Sequence, residues 1–164
     1  MAKELDDATL GAWRALLSAQ ALVVRRVEAA LAAEGMPPLG WYDVLWAVYD
    51  APQRRLRVGE LANAVVLSPT GMSRMVERLV QAGMLERKAV PEDRRGAYAA
   101  ITEEGIALLR RMWPVYARVL REVLEPQLDD SNGLRATLSA VADAARAASG
   151  GPSASPRPLA DARH

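Results

Sequence analysis

The chain has 164 residues, enough for one domain with a sizeable core or for two small lobes. It contains no cysteine, and its single histidine is the terminal residue His164, so the composition argues against disulfides, thiol redox chemistry and a metal site. The formal net charge is only +1. No apolar run reaches the roughly 18 residues of a membrane span and no signal peptide opens the chain, so we expect a soluble, cytoplasmic protein.

Apolar residues at intervals of three and four predict two helices in the first third of the chain. The first stripe should end near Gly35, and the segment Met36–Gly40 interrupts the pattern. The second helix should close at Ala51 and Pro52. The two stripes consist of Leu10, Trp13, Leu17, Ala21, Val24, Val27 and Leu31, and of Trp41, Val44, Leu45 and Val48.

Two short helical patterns follow, separated by a tight turn. The first covers Val58–Val66. In the second, Ser68 can cap the helix and Pro69 occupies the first helical position, where its missing N–H is tolerated. Gly83 should end that helix because glycine adopts left-handed backbone angles without steric cost. Its apolar side consists of Met72, Val76, Leu79 and Val80, and its polar side of Thr70, Ser73, Arg74, Glu77 and Arg78.

A helix with one apolar and one polar face can enter the major groove of DNA and present Ser, Thr and Arg to base edges. Taken alone, the pattern is more typical of an ordinary amphipathic surface helix. The segments after it favour a DNA-recognition helix followed by a β-hairpin wing. Two strands are predicted, at Met84–Ala89 and Ala97–Thr102, with the charged turn Pro91–Gly96 between them. Arg54–Arg95 contains nine Lys or Arg against five Asp or Glu, a local positive excess typical of a phosphate-facing surface.

The last part of the chain predicts two more helices. Thr102 should cap a long helix that contains Pro114, which should kink it, and a final helix should cover residues 131–148. The tail 149–164 has no apolar face and is expected to be disordered. The terminal stripes exceed what one small domain can cover, so we expect a second copy around a twofold axis.

The run ELANAVVLSPTGMSRMVERLVQAGMLERK, followed by PEDRRG and ITEEG, resembles the MarR family of winged helix-turn-helix transcriptional regulators. The resemblance covers the chain from about Leu10 to Ala148. It implies a mostly α fold with a small β-hairpin wing: a DNA-binding domain at 39–101, a helical dimerisation region at 9–35 and 102–148, and a tail at 149–164. The expected partner is a pseudo-palindromic duplex bound by a homodimer. No cofactor is implied, and without cysteine the family's peroxide-sensing branch is excluded.

Together, the pattern and the resemblance give a set of candidate DNA-binding residues. By the resemblance, the second wing arginine, Arg95, reaches into the minor groove and Asp93 orients it. For Arg94, a phosphate contact and a solvated side chain fit equally well. The full set is Ser68, Pro69, Thr70, Ser73, Arg74, Arg78, Asp93, Arg94 and Arg95.

The resemblance also implies a small, often aromatic, effector held between the DNA-binding and dimerisation parts. Candidate lining residues are Trp13, Trp41, Tyr42, Trp46, Trp113 and Tyr116, although aromatics at helical spacing are commonly core residues. The function predicted is a repressor released by such a ligand. The alternatives are an activator without an effector and a winged helix used only for protein–protein contact. No arrangement of nucleophile and base suggests an enzyme.

Overall fold

The computed structural model describes residues 5–65, 69–90 and 93–148, with backbone alone at residues 63, 69, 70, 90 and 93–96. These residues form six helices, two short 3₁₀ turns and a three-stranded sheet. The helices are α1 (Asp7–Ala33), α2 (Leu39–Asp50), α3 (Val58–Ala64), α4 (Pro69–Gln81), α5 (Glu103–Val123) and α6 (Ser131–Ala148). The strands are β1 (Arg55–Arg57), β2 (Leu85–Val90) and β3 (Asp93–Ile101). The mostly helical fold with a small sheet is confirmed.

The described residues form two compact units. One contains the chain up to Leu39 together with Met112–Leu128, and the other contains Gly40–Arg111 together with the described residues from Asp129 onward. The boundary therefore falls inside α5. The assignment of residues 9–35 and 102–148 to dimerisation, and of 39–101 to DNA binding, stays a prediction.

In the first unit, both ends of α1 are fixed by local hydrogen bonds. The Thr9 N–H donates to Asp6 Oδ1 at 2.7 Å and the Thr9 hydroxyl to Oδ2 at 3.0 Å. These bonds hold the pKa of Asp6 below its usual value. At the other end Gly35 has φ +66°, and the N–H of Met36 reaches back to the carbonyl of Leu31 at 2.9 Å. The predicted helix end near Gly35 is confirmed.

Two surface ion pairs link α1 and the residue after it to the second half of α5 within this unit. Val27 and Leu31 are buried, as are Met112, Val115 and Val119. Arg118 Nη2 lies 2.7 Å from Glu34 Oε1, and Arg26 Nη2 lies 3.9 Å from Glu122 Oε2. Because all four charged side chains are substantially exposed, the buried apolar groups contribute most of the stability.

The second unit contains the sheet, in the order β1-β3-β2, with both pairs antiparallel. The three strands align Leu56, Ala99 and Arg87 side by side. Helix α3 packs against α4, β1 and β3, and α4 packs against β2. The buried core of this unit includes Val44, Leu45, Val48, Leu61, Met72, Val76, Leu79, Leu85, Ala99 and Ile106.

Two predicted boundaries are wrong and one strand was not predicted. Helix α3 ends at Ala64 and not at Val66, and the strand missing from the prediction is β1. Strand β3 begins at Asp93, inside the segment predicted as a turn, since backbone pairing of Val90 with Asp93 continues the ladder across a register shift. Pro91 and Glu92 lie outside the described residues. Helix α5 continues from Glu103 to Val123 with Pro114 inside it, and the predicted kink stays a prediction.

Helix α6 agrees with its predicted range, and the Gly133 N–H donates to Asp130 Oδ1 at its start. None of its residues is buried. In the described part of the chain, no helix combines the length and apolar character needed to cross a bilayer.

Candidate nucleic-acid interface

Helix α4 has one face fixed in the core and one face in solvent. The side chains of Met72, Val76 and Leu79 are 0% exposed. Burial of each contributes about 1.5–3 kcal/mol, enough to hold the helix on the unit while its other side remains open. The exposed face presents Ser73, Arg74, Glu77 and Arg78, as the sequence predicted.

The charges around α4 differ in how far they are already neutralised. Glu77 Oε1 lies 3.8 Å from Arg87 Nη2 on β2, so these two charges offset each other. On the other side of the sheet, Glu86 lies 2.8 Å from the ammonium of Lys88. Among the described residues, no carboxylate lies within 4.0 Å of the two cations that remain on this face, those of Arg74 and Arg78.

The end of α4 is fixed by a left-handed glycine. Gly83 has φ +75°, its N–H donates to the Val80 carbonyl at 3.0 Å, and the Met84 N–H donates to the Leu79 carbonyl at 2.8 Å. This is the Schellman arrangement. It confirms the predicted stop at Gly83 and sets the angle at which the chain enters β2.

Thr102 joins the end of α4 to the start of α5. Its hydroxyl donates to the Gly83 carbonyl at 2.7 Å, with the Met84 carbonyl 3.0 Å away, and it accepts a hydrogen bond from the Gly105 N–H at 3.0 Å. The predicted capping role is confirmed. The same side chain also anchors the turn after α4, a contact that the sequence pattern did not indicate.

Several predicted DNA-binding residues lie outside what the structure describes. Ser68 is not described at all, and only backbone is described for Pro69 and Thr70, which begin α4. The wing residues Asp93, Arg94 and Arg95 belong to β3 by their backbone, and their side chains are likewise outside the description. Their roles in DNA binding stay predictions.

A cluster of cations around one tyrosine lies on the sheet and was missed by the sequence analysis. The Cζ atoms of Arg55 and Arg57 lie 4.8 Å and 5.7 Å from the centroid of the Tyr98 ring. Register places Arg57, Tyr98 and Lys88 side by side across the three strands. The alternation of charged and apolar residues in Arg55–Arg57 was the only available signal, and it is three residues long.

The turn before β1 has unusual backbone angles. Gln53 and Arg54 both have positive φ, +58° and +52°, which is uncommon for residues other than glycine. The guanidinium of Arg54 lies 4.8 Å from the centroid of the Tyr49 ring. This contact helps to hold the turn that leads from α2 into β1.

The six candidate effector-binding aromatics fall in both units. On α2, Tyr42 and Trp46 are stacked with an interplanar angle of 4°, and Tyr42 is buried while Trp41 and Trp46 are half-buried. On α5, Trp113 and Tyr116 meet edge to face. Trp13 on α1 is 52% exposed. Their role in ligand binding stays a prediction. Within the described residues, no group of three His, Cys, Asp or Glu could hold a metal ion.

The MarR family model matches residues 34–96, which include α2, α3, α4, β2 and the start of β3. This part of the chain, 63 of the 164 residues, is similar to the MarR family. The chain is 35% identical over 83 residues to the HTH-type transcriptional regulator MhqR of Bacillus subtilis (strain 168), covering 51% of this chain and 56% of that protein. The chain spans about half the length of the curated relatives it matches.

Solved structures of two MarR family transcriptional regulators from Streptomyces coelicolor resemble the whole fold. AbsC is 26% identical with a TM-score of 0.76, covering 88% of this chain and 99% of that one. Sco3205, solved in complex with DNA, is 26% identical with a TM-score of 0.74, covering 96% of this chain and 97% of that one. The similarity therefore extends over both compact units.

Proposed function

We propose that this chain is a MarR-family regulator of transcription, homodimeric and sequence-specific, that represses its target genes. The observation that supports it most is the open face of α4. That face presents a hydroxyl at Ser73 and guanidinium groups at Arg74 and Arg78, all exposed. The other side of the helix is buried at Met72, Val76 and Leu79. This combination suits a helix docked in the major groove. The DNA complex of Sco3205 is consistent with it.

Homodimerisation is proposed from apolar side chains at both ends of the chain. On α1, Trp13, Leu17 and Leu22 are 48–60% exposed. On α6, three apolar side chains spaced by three and four residues remain in solvent: Leu134, Leu138 and Val141. A second copy of the chain would cover these stripes and supply a second α4, so the operator should be pseudo-palindromic with half-sites about 34–36 Å apart.

Selection of bound duplexes from a pool of random sequences tests this function. We expect the full-length protein to enrich a pseudo-palindrome and to bind it with strong salt dependence, because each phosphate neutralised contributes about 0.9 to the slope of log K against log salt. A winged helix used only for protein contact would enrich no sequence. Enrichment of an asymmetric site would leave DNA binding intact and contradict the dimeric arrangement.

We further propose that a small aromatic ligand releases the DNA. The stacked rings of Tyr42 and Trp46 on α2 and the rings of Trp113 and Tyr116 on α5 support this, since they offer aromatic surface with polar edges. A ligand that changes the spacing of two recognition helices lowers affinity without unfolding the protein. Titration of aromatic carboxylates and phenols into the operator complex should release DNA and change tryptophan fluorescence together. Release with no change in fluorescence would contradict binding near these rings.

A further inference from the structure

Glu77 is an acidic side chain on the exposed face of α4, the face that the proposed function places against DNA. With about 3.6 residues per turn, Glu77 lies between Ser73 and Arg74 around the helix, about 40° from the first and about 60° from the second. Its side chain is 60% exposed. The sequence pattern assigns this acid no part in DNA binding, although phosphates surround any helix docked in a groove.

The carboxylate of Glu77 is held only loosely by its protein neighbours. Its Oε1 atom lies 3.8 Å from Arg87 Nη2, a separation longer than a hydrogen bond, and the Arg87 side chain is itself 45% exposed. Among the described residues, none donates a hydrogen bond to this carboxylate. An ion pair between two exposed side chains contributes little. Water therefore supplies the hydrogen bonds of the Glu77 carboxylate in the free protein.

Docking of α4 in a major groove would remove much of that water. A carboxylate that loses its water needs a hydrogen-bond donor, because a charge left unpaired in an interface is costly. The phosphates are negatively charged and cannot supply a donor. The donors in the major groove are the exocyclic amines, N4 of cytosine and N6 of adenine. Adenine also presents the acceptor N7 beside its amine, whereas cytosine presents the amine alone, so cytosine suits a carboxylate best.

We infer that Glu77 selects a cytosine in each half-site by accepting a hydrogen bond from the N4 amine of that base. This inference rests on the proposed function, since it requires the exposed face of α4 to enter the major groove. The acid and its neighbouring cations then have different effects. Arg74 and Arg78 attract the duplex, and Glu77 disfavours every sequence that lacks a donor at its position. Glu77 is thus a specificity-determining residue.

Selection from a pool of random duplexes, carried out in parallel with wild type, Glu77→Ala and Glu77→Gln, tests the inference. The wild-type protein should enrich a C·G pair at one fixed position of each half-site. Glu77→Ala should lose the preference at that position alone and keep the rest of the pseudo-palindrome. Glu77→Gln should shift the preference towards adenine, because a glutamine amide can bond to both N6 and N7 of that base.

Titration of two defined duplexes gives the size of the effect. One duplex carries the C·G pair in both half-sites, and the other carries T·A there, with the thymine O4 acceptor in place of the amine. Wild type should bind the second duplex at least about tenfold less tightly, in line with the usual cost of mismatched pairs. Glu77→Ala should bind the two within about twofold of each other. It should also bind the T·A duplex more tightly than wild type does, because a negative charge has left the interface.

The matched control is Glu86→Gln, which removes an exposed carboxylate from the other side of the sheet. It should leave both the selected sequence and the ratio of the two affinities unchanged. Thermal unfolding of each variant identifies any that fails to fold. Glu77→Gln retains the shape of the side chain, so it keeps the test decisive if Glu77→Ala is unstable.

The same selected sequence for wild type and both Glu77 variants would overturn the inference while leaving the proposed function intact. A weaker preference at every position together would also overturn it, since that result is expected if Glu77 only supports the packing of α4 on β2. Loss of a preference for a base other than cytosine would contradict the assigned contact. If the wild-type protein enriched no sequence, the proposed function would fail and the inference with it.

Discussion

At the scale of single residues, Arg74 is the side chain on which the proposed DNA contact depends most. It is exposed on α4, and no described carboxylate competes for its charge. We expect Arg74→Ala to weaken operator binding by about 1–3 kcal/mol, the cost of losing a base contact or a charged phosphate contact. Fluorescence anisotropy with the selected duplex measures this.

The control for Arg74→Ala is Arg121→Ala, which removes an exposed arginine from the other unit. It should leave operator affinity unchanged. Circular dichroism and gel filtration of both variants should match wild type. An Arg74→Ala protein that binds the operator like wild type at physiological salt would mean that α4 does not dock as proposed.

Gly105 is required by packing at the junction of β2, β3 and α5. A Cβ at this position would clash with the Met84 carbonyl oxygen and lie 2.8 Å from Ile101 Cγ1. Met84 is also the residue whose carbonyl accepts from the Thr102 N–H, so it cannot move away freely. We therefore expect Gly105→Ala to destabilise the fold by about 1–3 kcal/mol, typical of overpacking. Denaturant unfolding measures the loss.

Gly59→Ala is the matched control for Gly105→Ala. Gly59 is helical, on α3, and nothing lies within 4 Å of a Cβ placed there. That substitution should be neutral or stabilising, since alanine has the higher helix propensity. If both variants unfolded at the same denaturant concentration as wild type, the backbone at Gly105 would be less constrained than the structure indicates.

At the scale of elements, the wing should contribute charge to DNA binding separately from α4. We expect Arg95→Ala to weaken binding and lower the salt slope by about 0.9 per protomer, because one cation leaves the interface. Asp93→Ala should give a milder loss, through disorder of the loop. Titrations at several salt concentrations separate the two effects. Arg95→Ala with unchanged affinity and unchanged slope would exclude the wing from the interface.

The helices could be predicted from sequence because their signals are local. Apolar residues at intervals of three and four, Gly35 and Gly83 at helix ends, and Thr102 at a helix start are all read within a few residues, and the structure confirms these features. The strands were harder to predict. β1 is three residues long and two of them are arginines. Asp93–Gly96 has low strand propensity, yet Asp93 pairs with Val90.

The candidate site could be predicted only in part, for a related reason. The exposed face of α4 follows from helical periodicity. Periodicity does not predict which charges near this face form ion pairs, because the pairing of Glu77 with Arg87 depends on how β2 packs against α4. The contact of Arg55 and Arg57 with the Tyr98 ring likewise depends on strand register. Sequence distance does not reveal contacts made through tertiary packing.

At the scale of the whole molecule, the exposed apolar stripes of α1 and α6 should make the ends of the chain essential to a stable protein. Deletion of residues 1–35, or of everything beyond Leu124, should give an aggregated or unfolded product, since either change removes one of the two apolar stripes that a second copy would cover. Removal of the chain from Gly150 should leave fold and dimer intact. Light scattering after gel filtration measures each mass, and a well-behaved monomer from either long deletion would contradict the dimeric arrangement.

The boundary between the two compact units could not be read from the sequence either. The boundary falls between Arg111 and Met112, and helix α5 continues across it without a break in its apolar stripe. Periodicity reports which face of a helix is buried, and it does not report which neighbours cover that face.

The central claim is that two copies of this chain read one pseudo-palindrome with two α4 helices. The most direct measurement is the affinity of the wild-type protein for the selected operator with five base pairs inserted between the half-sites. Half a turn of DNA rotates one half-site to the opposite side of the duplex and moves it about 17 Å along the axis, so binding should fall to the level of unrelated DNA. Equal affinity for the original and the five-base-pair insertion would contradict the claim, because it would mean that each chain binds its half-site alone.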